Sequence, residues 1–257
     1  MTAPLIECRG LTVGHDPAKP TLTGVDLTIG VGEIVALLGP SGCGKSTMLR
    51  CLTGLMPPLA GEVLLFGESL YGVELERRQQ LLRRTGTLFQ QDALFGSMSV
   101  ADNVELPLHE ITQLPASIIR EMAAMKLGLV GLGGLGHRWP ANLSGGQRKR
   151  AALARATILD PALVFCDEPS AGLDPVVAAG IDQTFLRLKT LFSSTFLIVT
   201  HELASIRAIA DRAIMFADGG VCATGTIDEL SASNIPSVRG FFHRVAATSN
   251  PAVRLPS

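Results

Sequence analysis

Short apolar runs alternate with helical patterns along most of the chain. Residues 33–38 (Glu-Ile-Val-Ala-Leu-Leu) predict a strand that ends in a glycine-rich turn. Residues 62–66 and 85–89 predict two more strands. Residues 163–167 (Leu-Val-Phe-Cys-Asp) and 195–200 (Thr-Phe-Leu-Ile-Val-Thr) are nearly continuous apolar runs, as expected of central parallel strands covered on both faces. Residues 213–217 and 221–223, with Gly219 and Gly220 between them, predict a hairpin. Asp174 and Pro175 predict a helix start, with Asp as N-cap and Pro in the first turn. This alternation argues an α/β fold. Residues 5–38 instead carry short strands and turns with no helix, which predicts a small antiparallel layer.

Residues 99–160 break the rhythm. Their patterns are helical, with few β-branched runs. Pro115 is expected to open a helix running through Met125. Residues 128–136 (Gly-Leu-Val-Gly-Leu-Gly-Gly-Leu-Gly) are expected to break it as a flexible loop. That run is not a dinucleotide fingerprint, because it follows a helix and not a strand. The region reads as a helical insertion in the α/β core. Residues 248–257 carry two prolines and little pattern, which predicts a mobile tail.

Composition narrows the class. Of 257 residues, 47% are apolar and 18% charged, which excludes a disordered chain. Twenty-two basic residues against 23 acidic ones give a formal charge of −1, so no nucleic-acid partner is expected. The longest stretch free of Asp, Glu, Lys and Arg is residues 190–201, too short for a helix across a bilayer. The first residues have no basic region followed by an apolar one, so no secretory signal is expected. Five scattered cysteines with no C-x-x-C pair read as reduced thiols. The mean hydropathy of +0.33 fits a buried parallel sheet, and also a surface resting on a membrane partner.

The chemistry begins at Gly39, Pro40, Ser41, Gly42, Cys43, Gly44, Lys45, Ser46 and Thr47, which fit G-x-x-x-x-G-K-[S/T] between an apolar strand and a helical run. Backbone N–H groups of such a loop and of the helix start converge on phosphate oxygens. Lys45 supplies a cation for the β- and γ-phosphates of a nucleotide such as ATP, and Ser46 a hydroxyl for Mg²⁺. Cys43 reads as a small residue that the turn tolerates. Asp167 and Glu168 end an apolar strand, where Asp167 would serve the metal and Glu168 would orient or deprotonate the attacking water. Ser144, Gly145, Gly146 and Gln147 precede a helix that starts Arg-Lys-Arg. Ser144 and Gln147 have capping-box spacing, the glycines leave N–H groups open, and the basic run adds positive potential. This makes a second anion-binding helix end, which one chain cannot easily direct at the same triphosphate.

With these motifs in this order, residues 5–235 resemble the ATP-binding-cassette (ABC) ATPases. The resemblance implies a P-loop NTPase core of the RecA-like kind, with an N-terminal antiparallel β layer and an inserted helical subdomain. It divides the chain into an ATPase domain, 1–235, and a C-terminal extension, 236–257. Within the domain the core and β layer take 1–90 and 156–235, and the helical subdomain about 91–155. Residues 39–47 match Walker A and residues 143–147 the signature. Asp167 and Glu168 match the Walker B Asp and the catalytic Glu. Residues 170–174, ending at Asp174, match the D-loop. Gln90 matches the Q-loop glutamine, a ligand of Mg²⁺ or its water, with Gln91 the near alternative. His201 matches the switch histidine that contacts the γ-phosphate. The family implies a head-to-tail dimer of two copies with two ATP sandwiched, attached to membrane permease subunits. One departure is the absence of Tyr, Phe or Trp in residues 13–17, where the family places a side chain that stacks on adenine. His15 is the residue there that could stack, and a solvated loop role is the simpler reading.

Residues 89–108 and 236–242 are further similar to the ATPases of MCE-type lipid transporters. That similarity implies phospholipid cargo, a periplasmic MCE protein, in some systems a small regulatory subunit, and a place at the cytoplasmic face of the bacterial inner membrane. Ala93, Leu94 and Phe95 either form an apolar surface for a permease helix or pack into the helical subdomain. The alternative is an import ATPase for a polar solute such as an amino acid. Non-transport members of the family have paired cassettes or long coiled coils, which this chain lacks, and no N-K-x-D motif favours a GTPase.

Overall fold

The computed structural model describes residues 3–248, with side chains through Phe242. From the N-terminus, β1 (Ile6–Val13) and β2 (Leu22–Ile29) form a hairpin, and β3 (Ile34–Leu38) leads into a loop before α1 (Lys45–Leu52). There follow β4 (Ala60–Leu65), β5 (Glu68–Ser69), α2 (Leu75–Leu82) and β6 (Thr85–Leu88). A helical stretch holds α3 (Val100–Ile111), α4 (Ala116–Leu129), a 3₁₀ turn (Pro140–Asn142) and α5 (Gly145–Thr157). The chain continues through β7 (Leu163–Asp167), α6 (Pro175–Phe192), β8 (Thr195–Val199), α7 (Leu203–Ile209), β9 (Arg212–Ala217) and β10 (Gly220–Gly225). It ends in α8 (Ile227–Ser231) and α9 (Pro236–Thr248). Residues 249–257, most of the expected tail, lie outside the described residues.

Two sheets result, as the α/β reading with an antiparallel layer expects. The antiparallel sheet has order β2-β1-β4-β5. Residues 5–38 supply only half of it: β4 pairs with β1, and β3 belongs to the other sheet. The second sheet has order β10-β9-β3-β8-β7-β6, parallel from β9 to β6 with antiparallel β10 on the edge. Every residue of β3 and β8 is buried, which explains their nearly continuous apolar sequence, broken by Thr195 alone. One face of this sheet packs on α1 and the antiparallel layer, through Met48, Leu52, Phe165 and Phe216. The other packs on α5 and α6, with Phe185 edge-on to Phe196. α7, α8 and the start of α9 close a further apolar cluster that includes Val238, Phe241 and Phe242.

The helical stretch has its own core, built from Val100, Val104, Ile119, Ala123, Leu127, Ala151 and their neighbours. Here the sequence expectation needs correction. α4 runs past Met125 and through Gly128 to Leu129. Ile119, Ala123 and Leu127 recur every four residues and lock that face onto the core, so packing overrides one glycine. The segment after it is anchored, because Val130 and Leu132 are buried in the same cluster. Among the described residues no helix is long and apolar enough to cross a membrane. All five cysteines are free thiols. Burial pushes the Cys8 and Cys166 thiols up, and that of Cys51 up to about 11, so these three are poor nucleophiles.

α5 and α6 approach closely at Gly146, where an added Cβ would collide with Val177 Cγ1. This glycine is therefore required by packing, whatever its N–H groups do. Gly146→Ala is expected to lower unfolding stability by about 1–3 kcal/mol through overpacking against a stiff β-branched side chain. Val177→Ala in the same chain is expected to restore it, with urea denaturation as the measurement.

Candidate active site

Parallel pairing decides where the candidate residues meet. Leu37 is opposite Val199, Asp167 is opposite Val199 on its other side, and Leu88 is opposite Cys166. The carboxyl ends of β3, β8, β7 and β6 therefore lie in line along one sheet edge. Such an edge, where the order of strands reverses, is where α/β sheets bind ligands.

β3 delivers the phosphate loop. Gly39 has φ 145°, and a Cβ there would run into the Phe216 carbonyl and the Cys43 sulfur. Gly44 has φ 106° and lies against Leu22, with 2.8 Å from an added Cβ to Leu22 Cγ. Gly44 is also the N-cap of α1 and has no side chain to occupy the first-turn amides. Those N–H groups are left for an anion. Lys45 folds back over the loop, its Nζ donating to the carbonyl oxygens of Gly39 at 2.8 Å and Pro40 at 2.9 Å. An incoming phosphate has to exchange these two bonds.

A cavity of about 430 Å³ beside the loop is lined by Ser46, Arg50, Gln90, Gln91 and Asp167. The three residues read as metal-directed thus share one space, and Gln91 shares it with them. Asp167 Oδ1 is buried without a protein hydrogen-bond partner. Burial raises the Asp167 carboxyl above the usual carboxylate range, and Glu168 raises it further, against the pull of Arg50, Lys149 and Lys45.

Glu168 is held in an unusual conformation. Its φ is 49°, in the left-handed region, and its N–H donates to Val199 O at 2.8 Å. The carboxylate Oε1 lies 2.8 Å from His201 Nδ1, while Oε2 is buried without a partner. The sequence suggested both residues but not their direct bond, which joins the end of β7 to the end of β8 across 33 positions of chain.

At the start of α5 the expected capping box is present. Gln147 N–H donates to Ser144 Oγ at 3.3 Å, and Ser144 N–H to Gln147 Oε1 at 3.0 Å. Ser144 is exposed. Neither it nor Gly145, Gly146 or Gln147 lines the 430 Å³ cavity or the one of about 630 Å³ on the other side of the phosphate loop. Asp174 caps α6 by accepting from the N–H groups of Val176 at 3.1 Å and Val177 at 3.0 Å.

The basic run after Gln147 differs from the expectation of free positive potential. Arg148 and Lys149 turn onto Asp92, at 3.4 and 3.1 Å, and Lys149 also donates to the Gln90 carbonyl. Arg155 donates to the carbonyls of Ala93 at 2.8 Å and Asp92 at 3.1 Å. Of the three apolar candidates nearby, Ala93 and Phe95 line an open groove of about 760 Å³ with Phe89 and Ile111. Leu94 instead packs into the core. His15 is exposed.

Comparison with known proteins agrees with this arrangement. A family model described as ABC transporter matches residues 22–171, more than half of the chain. The intermembrane phospholipid transport system ATP-binding protein MlaF of Escherichia coli is 40% identical over 222 residues, covering 86% of this chain and 82% of its own. The probable ribonucleotide transport ATP-binding protein Mkl of Mycobacterium tuberculosis is 40% identical over 238 residues, covering 93% of this chain. The chain spans 66% of the length of Mkl. A dimeric post-hydrolysis structure of the ATP-binding cassette MJ0796, bound to ADP and Pi, superposes with a TM-score of 0.78. It is 30% identical and covers 86% of this chain and 98% of that one. The family match runs without interruption from before the phosphate loop through the α5 helix start to Asp167 and Glu168, and the chain belongs to the ABC transporter family as one of its ATP-binding cassettes.

Proposed function

We propose that two copies of this chain pair head to tail, hydrolyse ATP at two shared sites, and so drive phospholipid transport through membrane permease subunits. One observation carries the shared site. The chain builds two anion-binding helix ends, at Gly44 and Ser144, and the second lines neither cavity beside the first. A second copy turned head to tail supplies the missing end. The dimeric form of MJ0796 supports this reading.

In this mechanism the loop amides and Lys45 bind the β- and γ-phosphates. Glu168 Oε2, free of protein partners, accepts the proton of the attacking water. His201 Nδ1 fixes the Glu168 carboxylate through Oε1, and its exposed ring, which lines a cavity with Gly39–Cys43 of the phosphate loop, would contact the γ-phosphate. Ser144 and the Gly145 and Gly146 amides of the partner subunit close on the γ-phosphate. Asp174 acts from the cap of α6 at the subunit seam. The site fits Mg²⁺: a buried carboxylate oxygen without a partner, a serine hydroxyl and a glutamine amide offer hard oxygen donors in one cavity. Asp167, Ser46 and Gln90 would hold it. When bound, the ion neutralises charge on the phosphate oxygens. Among the described residues no group of three His, Cys, Asp or Glu could hold a metal ion.

The groove lined by Phe89, Phe95 and Ile111, each 40–50% exposed, supports docking of a permease helix. Identity to MlaF supports phospholipid as cargo. A periplasmic MCE protein and a small regulatory subunit are the further partners that the resemblance of residues 89–108 and 236–242 implies. The ATPase then works at the cytoplasmic face of the bacterial inner membrane. The name of Mkl favours a second reading, a polar cargo.

Glu168→Gln is expected to cut turnover by about 10²–10⁴-fold while ATP binding is kept, because only the base is lost. Dimers trapped by ATP in size-exclusion chromatography would accompany it, and wild-type turnover would refute the assignment. Lys45→Ala and Ser144→Arg are each expected to be inactive alone. Mixed together they form heterodimers with one site spared and one doubly damaged, and ATPase activity is expected to reappear. A mixture as silent as its parents contradicts shared sites. Mass spectrometry of the purified membrane complex is expected to find bound phospholipid. A complex free of lipid but stimulated by a polar solute favours the second reading.

A further inference from the structure

The loop that carries Gln90 is held by the helix that begins at Ser144. Asp92 and Ala93 both have left-handed backbone, with φ 60° and 51°, which neither residue adopts readily. The loop's acceptors are then taken up by α5. Gln90 O accepts from Lys149, the Asp92 carboxylate forms ion pairs with Lys149 and Arg148 without a hydrogen bond to its buried Oδ1, and the Asp92 and Ala93 carbonyls accept from Arg155. Of the three basic residues only Lys149 contacts Gln90 itself, and it is 6% exposed, whereas the Arg148 side chain is 40% exposed. Asn103, fully buried, pins the far end of the loop by accepting from Phe95 N–H and donating to the carbonyls of Phe95 and Ser99.

We propose that Lys149 is a positioning residue for Gln90, and that it couples the Ser144 end of α5 to the Gln90 site of the same chain. The proposal rests on the reading above in which Gln90 serves the nucleotide-bound metal. Ser144 and Lys149 are five residues apart on a continuous, capped helix, about 7.5 Å along its axis, so that a displacement at one end is carried to the other. Whatever docks at Ser144 then moves the Gln90 carbonyl, because the buried ammonium cannot leave it without losing that hydrogen bond and its ion pair with Asp92 together. In a head-to-tail dimer this links the nucleotide held at one site to the metal ligand of the other. A lysine with only a structural role predicts loss of stability and no selective change in metal use.

The test compares Lys149→Met, Lys149→Arg, Gln90→Ala and the double variant Gln90→Ala/Lys149→Met in the full-length chain, measuring ATP affinity, kcat and the Mg²⁺ dependence of turnover. Lys149→Met is expected to lower kcat by about 10–100-fold and to raise the half-saturating Mg²⁺ concentration, with ATP affinity within about twofold of wild type. Lys149→Arg, which keeps the charge, is expected to recover most of the rate. The double variant is expected to be no worse than Gln90→Ala. A Mg²⁺ curve unmoved by Lys149→Met but shifted by Gln90→Ala overturns the proposal, as does an additive double variant. If Gln90→Ala itself changes neither kcat nor the curve, the assignment of Gln90 fails and the proposal with it. Should Lys149→Met not fold, Asp92→Asn cuts the same ion pair, and its Mg²⁺ curve decides: shifted in the same direction in support, unmoved in refutation.

Discussion

Leu37, Val199 and Asp167 stand side by side in three adjacent parallel strands. That hydrogen-bonded register aligns the phosphate loop, the carboxylate pair, the histidine and the Gln90 loop on one edge, although they are far apart in the sequence. A slip of one residue in β7 would turn Asp167 to the opposite face and bury a charge in the core against α5 and α6. Packing on both faces opposes such a slip, because Phe165 is fitted against α1 and the antiparallel layer and Phe196 against α5 and α6. The polar chemistry is therefore placed by residues that take no part in it.

Features specified over a few residues were legible in the sequence. The phosphate loop, the Ser144–Gln147 capping box and the Asp174 cap depend on local spacing, and each is found as that spacing predicts. The central strands were legible for the same reason, since burial on both faces leaves a continuous apolar run. Features that depend on a distant partner were not. Nothing near Lys149 in sequence announces Asp92, 57 positions away, so the basic run looked like a solvated anion-attracting face. Gly146 looked like an open amide donor until Val177 of α6 was seen against it. The Glu168–His201 bond likewise needs β7 and β8 to be neighbours.

The helical stretch teaches a related lesson about glycine. A run of glycines suggests flexibility, yet Val130 and Leu132 alternate with them and are buried beside Leu127. Each apolar side chain set into the core costs the segment its freedom, and the glycines then serve backbone turns such as that at Gly131, with φ 75°. β4 misled in the opposite sense. It resembles the strands of the parallel sheet in composition, and its antiparallel pairing with β1 and β5 assigns it to the other layer.

Asp167 and Glu168 are adjacent carboxylates, each with one buried unpartnered oxygen, but with different neighbours, and that contrast supports the two tasks proposed for them. Asp167 continues the line of β7 toward Ser46 and Gln90, where burial and its neighbour's charge penalise the bare anion. An oxygen so placed gains from a cation and from little else. Glu168 has left the strand through a left-handed turn, which swings its carboxylate out of line with Asp167 and onto His201. Without that turn the two carboxylates would lie in line, and the repulsion that Glu168 already exerts on Asp167 would grow. The positive φ at Glu168 is thus the local strain that separates the oxygen proposed to face a metal from the one proposed to face the attacking water, and the Val199 carbonyl receives its N–H.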